Sequence, residues 1–384
     1  MRRPSRHNKP PLILWVVLGL VLAGGLVFLI VKLAGGGGKP EEGPASSVGA
    51  ASTDPAPEAG EPAPAPTPTP EPVALPEPDA PEGAPEDMGS LMVAGGTGYA
   101  YYTFSTEVSN RYINTVAGAG QALAGSATVY SLIAPTSMDV QLPESYLTEH
   151  QVDSADQKKA IDRYLLPSIN AINQDVKTVP VFDALRRHWD ENIYFGTDRT
   201  WTQLGAYYAY EEFCKAKGVQ AVALDQFEKK SYEGFMGGFA GLVGEDRLYS
   251  DTVDAYIPAG DTSLSFTDAN GETNEGWAVI SDGDGYSSSL LYLIFAAGDQ
   301  PYKVLTNNSI TDGSACVVVQ DSFGNFFTPF LTQHYQFVYV VDYASYDGNV
   351  PDLVREKGAG DLIFLNHVII TSSDTAVESL ESLF

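Results

Sequence analysis

Asp321 and Ser322 follow directly on Ala315–Gln320, a short apolar run that reads as a buried strand. Phe323, Gly324 and Asn325 then lead into a helix read over Phe327–His334. In open α/β sheets, ligands gather outside the carboxyl ends of the strands. Ser322 would therefore stand at the sheet edge, beside the N–H groups that open the next helix, and those donors could stabilise an oxyanion. Gly324 lets the backbone approach a ligand closely. A serine so placed becomes a nucleophile when a neighbouring base takes its proton. The same residues also suit a plain turn in which Asp321 or Ser322 caps the helix, and spacing alone leaves both readings open. A second block, YFGTDRTWTQLGAYYAYEEF, sets Asp198 just ahead of a helix read over Trp201–Lys217. Asp198 could serve a site, or Asp198 or Thr200 could cap that helix with Trp201 packed in the core.

The elements that must position these groups are legible as an alternation. A helix over 107–124 precedes an apolar strand over Ala127–Ala134. Helical spacing follows over Ser154–Asn173, interrupted at Pro167, and again over Val181–Arg187. The stretch 226–286 is rich in Gly and turns, with Asn270-Gly271 as a hairpin signal. Leu290–Ala297 reads as a strand. Strand 315–320, helix 327–334, strand 337–342, helix 350–357 and strand 362–370 then alternate. Buried strands alternating with helices predict an α/β domain with a mainly parallel sheet covered on both faces.

The rest of the chain is built differently. Leu12–Val31 has twenty residues without a charge, enough at about 1.5 Å per residue to cross a hydrocarbon core of about 30 Å. Arg2, Arg3, Arg6 and Lys9 precede it, which sets the N-terminus inside and the remainder outside. The organisation predicted is a cytoplasmic tail over 1–11, a transmembrane signal anchor over 12–34, a disordered Pro/Ala/Glu-rich linker over 35–90 and an extracellular domain over 91–384. Fourteen of the 25 prolines and eleven acidic residues fall in the linker. Such a segment has no core residues, repels itself and extends. The protein carries 22 Lys+Arg against 49 Asp+Glu, a net charge of -27, so no sequence-independent nucleic-acid binding is expected. Two cysteines, Cys214 and Cys316, are too few for a disulfide scaffold. The SDGDG turn at 281–285 lacks the spacing of a calcium loop, and neither a metal nor a cofactor is called for.

Taken together, Asn192–Tyr210 and Gly298–Asp342, where GDQPYKV, QDSFGNFFTPFLTQHY and YVVDY stand in order, resemble the DHHW family. That family is related to the alginate O-acetyltransferase branch of the SGNH-type hydrolases. The resemblance implies an SGNH-like three-layer α/β fold and acyl-ester chemistry on a cell-envelope polysaccharide. It also implies Ser322 as nucleophile and an Asp-His-His-Trp block supplying acid and base. Here Asp198, Trp201, Thr202, Gly205, Ala206 and Tyr207 keep the pattern, but Arg199 and Thr200 replace the two histidines. Thr200 takes the place of the general base, and threonine has no basic atom suited to that work. Of the five histidines, His367, late in the last strand, is the substitute named, with His188 and His334 as others. Asp321, Gly324, Asn325, Arg199, Thr200, Trp201 and Tyr207 are the expected surrounds, and the aromatic ones could stack on sugars. Two functions follow: a catalytically impaired or non-catalytic relative that binds a glycan or a partner of the acetylation machinery, or an active acyl-ester hydrolase or O-acyltransferase with a relocated base.

Overall fold

The computed structural model describes residues 74–384. A small antiparallel sheet opens it: β1 (Glu86–Asp87), β2 (Leu91–Ala94) and β3 (Thr97–Ala100). Helix α1 (Thr106–Ala122) follows, then β4 (Thr128–Ala134), β5 (Lys177–Val179) and α2 (Gln203–Lys217). A hairpin arm comprises β6 (Glu228–Phe235), the short helix α3 (Gly238–Val243) and β7 (Asp251–Ile257). The remainder runs β8 (Thr262–Thr267), β9 (Thr273–Trp277), β10 (Tyr302–Asn307), β11 (Ala315–Gln320), α4 (Gly324–Leu331), β12 (Phe337–Asp342), α5 (Val350–Lys357), β13 (Asp361–His367) and α6 (Asp374–Glu381).

The large sheet has the order β5-β4-β13-β11-β12-β10-β8-β9. Its first five strands are parallel; the last three add on antiparallel. Strand alternation divides the core in two. Cys316 and Val318 of β11, Ile363 and Leu365 of β13, and Tyr130 and Leu132 of β4 pack with α2 and α4 on one face. Val317 and Val319, Leu362 and Phe364, and Val129 and Ile133 pack with α1, α5 and α6 on the other. Helices therefore cover both sides of a strand set buried throughout, which makes three layers.

The structure departs from the sequence expectations in several places, among them the last strand, which ends at His367 and passes into a 3-10 segment over Val368–Ser372 rather than running to 370. Leu290–Ala297 is no strand: Ser288–Ile294 winds as a 3-10 segment that buries Leu291 and Ile294. The chain then turns through positive φ at Ala296, Ala297 and Gly298, a path an extended strand does not follow. The neighbouring sheet position belongs to β10, whose alternating YKVLTN was not read as a strand. The helix after Ser322 begins at Gly324, not 327. Residues before 91 also join the domain: β1 pairs with β2, the Tyr146 hydroxyl donates to Gly83 O (3.0 Å) and the Arg186 Nε to Pro76 O (3.1 Å). The apolar stretch Leu12–Val31 and most of the proline-rich segment lie outside the described residues. No described helix is long and apolar enough to cross a membrane.

Candidate active site at the carboxyl end of the sheet

Strand β11 delivers Asp321 and Ser322 to the sheet edge as the alternation predicts. Asp342, the last residue of the adjacent β12, pairs in register with Gln320, and His367 closes β13 beside them. The tight passage from β11 into α4 requires a glycine at 324: a Cβ there would lie 2.6 Å from Gln320 Cβ. Asp321 folds back under the turn, with one oxygen accepting from Phe323 N (3.1 Å) and the other from His367 N (2.7 Å). Burial pushes its carboxyl up to about 6, against those hydrogen bonds and the Arg199 guanidinium. The capping alternative thus applies in part to Asp321. It does not apply to Ser322, whose side chain faces elsewhere.

Ser322 Oγ donates to Asp299 Oδ2 at 2.8 Å. Asp299 Oδ1 accepts from Asn325 Nδ2 at 2.6 Å, and Asn325 Oδ1 accepts from the Lys303 ammonium. Lys303 is completely buried, donates also to Gly298 O (3.0 Å), and has its pKa lowered to about 8 by burial, with Asp299 and Asp342 opposing. Asp342 is pushed up to about 7 by burial first and by the Asp299 charge next. Asp299 and Lys303 were not singled out in the sequence. The available signal was a lysine on the inward face of an alternating strand, where a cation must find acceptors.

The Asp198 block reaches the same turn through Trp201. Its indole Nε1 donates to Phe323 O at 2.8 Å, and its ring is fully buried edge-on to Phe323. Thr202, rather than Asp198 or Thr200, caps α2, its hydroxyl oxygen accepting from Gly205 N at 3.2 Å. Gly205 has no room for a side chain, because a Cβ would meet Ile193 O at 2.3 Å. Asp198 Oδ1 accepts from Thr200 N and Thr200 Oγ1, both at 3.1 Å, and Oδ2 accepts from Gly238 N at 2.8 Å. Thr200 thus sits against Asp198, as an imidazole paired with that carboxylate would. Arg199 is exposed, makes no hydrogen bond or ion pair among the described residues, and lends positive charge to Asp321 and His367.

Neither the Asp198 carboxylate nor the His367 ring is hydrogen-bonded to Ser322. The His367 ring stacks on Phe323 (centroids 4.3 Å apart), and its buried Nε2 has no partner. Burial, with the Arg199 charge adding to it, lowers its pKa to about 3. Its imidazole resonances should therefore show no protonation between pH 8 and pH 5 in an NMR titration. A midpoint in that window would place the ring in a more polar setting. His188 stacks on Tyr208 and contacts Glu191, and His334 contacts the Tyr210 hydroxyl; neither is bonded to Ser322. Tyr207 lies in the core, edge-on to Phe330 with its hydroxyl donating to Val222 O (3.1 Å), so neither it nor Trp201 presents a face for stacking on a sugar. The helix-opening N–H groups are spent internally: Gly324 N donates to Asp321 O and Asn325 N to Ser322 O. The Ser322 N–H makes no hydrogen bond among the described residues.

These features define a three-layer α/β protein with a serine presented at the carboxyl end of a central parallel strand. The sequence profile described as DHHW protein matches residues 72–341, and the chain belongs to the DHHW family. It is similar to a DHHW family protein from Eubacterium siraeum, with 24% identity and a TM-score of 0.67 over 77% of this chain and 96% of that one. It is similar in fold to Bacillus cereus PatB1 carrying a sulfonyl adduct, with 17% identity and a TM-score of 0.60 over 76% of this chain and 99% of that one. No curated protein matches the chain.

Proposed function

We propose that this protein works in cell-envelope polysaccharide modification. In this reading an N-terminal anchor holds its α/β domain outside the membrane, and the domain takes an O-acylated glycan at Ser322 and turns it over slowly at most. Family membership supports the substrate class. One observation carries the slow turnover: the Ser322 hydroxyl donates to a carboxylate, and no imidazole is bonded to it. A serine lacking its triad base keeps only a residual part of the rate enhancement.

The test uses the full chain in detergent, with an aryl acetate as reporter and O-acetylated and de-acetylated envelope polymers as ligands. Retention of the acetylated polymer is expected, with ester hydrolysis weak but above buffer and abolished by Ser322→Ala. Failure to retain either polymer, together with hydrolysis indifferent to Ser322→Ala, would refute the proposal.

A further inference from the structure

We infer that Asp299 replaces the missing imidazole as the acceptor of the Ser322 proton, so that the site operates as a serine–aspartate pair. The carboxylate touches the reacting hydroxyl itself, Oδ2 lying 2.8 Å from Oγ. This is within the reach a general base requires. Its second oxygen is tied to Asn325, and Asn325 is tied in turn to the buried Lys303 ammonium. Lys303 is held by Gly298 O, the carbonyl next to Asp299 in the chain. The chain Lys303–Asn325–Asp299–Ser322 orients the base through a third and a fourth group, as an acid orients the imidazole in a triad. A lysine buried this deeply is costly to keep in a fold, and the polar chain it anchors ends on the hydroxyl of Ser322.

The step balances without any further reactant. As the Ser322 Oγ–carbon bond forms to an ester carbonyl, the Oγ proton passes to Asp299 and the carbonyl π pair moves onto oxygen. When that pair returns, the ester C–O bond breaks and the departing alkoxide takes the proton from Asp299. Water then repeats the sequence on the acyl-serine, restoring Ser322 and releasing the acid. A carboxylate is a far weaker base than an imidazole, so this route gives slow turnover.

The inference rests on the reading of Ser322 as nucleophile. Its test therefore follows serine reactivity and not the glycan. The full chain is treated with phenylmethylsulfonyl fluoride. Ser322 attacks sulfur, fluoride leaves, and the proton goes to the base; the adduct is read by intact and peptide mass. Wild type should acquire one adduct on Ser322, and Asp299→Asn should acquire it at least ~10-fold more slowly. The amide has one acceptor oxygen for the two donors, Ser322 and Asn325, that the carboxylate serves, so Asn325→Ala, which disturbs the position of Asp299 but leaves the base, is labelled in parallel and should react faster than Asp299→Asn. Equal labelling of wild type and Asp299→Asn overturns the assignment of Asp299 while leaving Ser322 as nucleophile. No labelling of Ser322 in wild type overturns both.

Discussion

Thr200→His should raise Ser322-dependent hydrolysis of an aryl acetate by about 10²-fold or more, the contribution of one positioned general base. Thr200 is set against Asp198 through both its N–H and its hydroxyl. An imidazole on the same backbone would meet a carboxylate able to fix its tautomer, the role of the acid in a triad. The Trp201–Phe323 hydrogen bond ties this block to the serine turn, so the new ring would stand on a frame already joined to the segment that carries Ser322. Hydrolysis should fall back to the background rate when Ser322→Ala is added. Thr200 is buried, so circular dichroism and a thermal melt must accompany the kinetics. A folded variant with an unchanged rate would show that position 200 does not address Ser322. The proposed kinship between this block and a working acid–base pair would then be wrong.

The domain should also be more stable in mild acid than at neutral pH, which reverses the usual trend. Asp321 and Asp139 are raised to about 6 and Asp342 to about 7, in each case chiefly by burial. A carboxyl whose folded pKa lies above its unfolded value binds more protons when folded. Its favourable contribution is complete below the unfolded pKa, near 4, and is lost as pH rises through 6 to 7. Two pKa units correspond to about 3 kcal/mol for one group. Asp342 and its neighbours titrate together, so the sum is smaller than the separate shifts suggest. Lys303 acts at the other end of the scale: its pKa is lowered to about 8, so its contribution improves only as pH climbs beyond that value. Melting followed from pH 4.5 to pH 8 should show a midpoint at least ~5 °C higher on the acid side. A flat or rising profile across that range would mean that these carboxylates are more solvated than the fold indicates.

The serine turn was legible in the sequence because its signals are local. An uninterrupted apolar strand, a polar pair at its end and a glycine where no Cβ fits all lie within ten residues. The outer layers were legible for the same reason, since helical and strand periodicities repeat over single segments. Asp299 was not legible, because its role arises from a pairing between β10 and β12 that brings residues 298–303 beneath a turn more than twenty positions later. Leu290–Ala297 has the composition of a strand, and only the positive φ at its end and the occupancy of the sheet by β10 make it something else. Tyr207 and Trp201 have the residue types of a sugar platform. Tyr207 is buried by the packing of α2 on α4 and Trp201 by the serine turn, contacts that their own segment of sequence does not contain. His367 stands where a late base would be, but desolvation, a property of the folded surroundings, takes away its basicity.

The way residues 76–87 lie on the domain has a mechanical consequence. Pro76 is held by Arg186, whose guanidinium also grips the carbonyls of Asp139, Val140 and Leu142, and Gly83 is held by Tyr146. A pull arriving along the chain from its N-terminal side would meet these clasps before it reached any strand of the large sheet. The clasps would yield one after another, lengthening the leash and dissipating the tug while the serine turn stays undistorted.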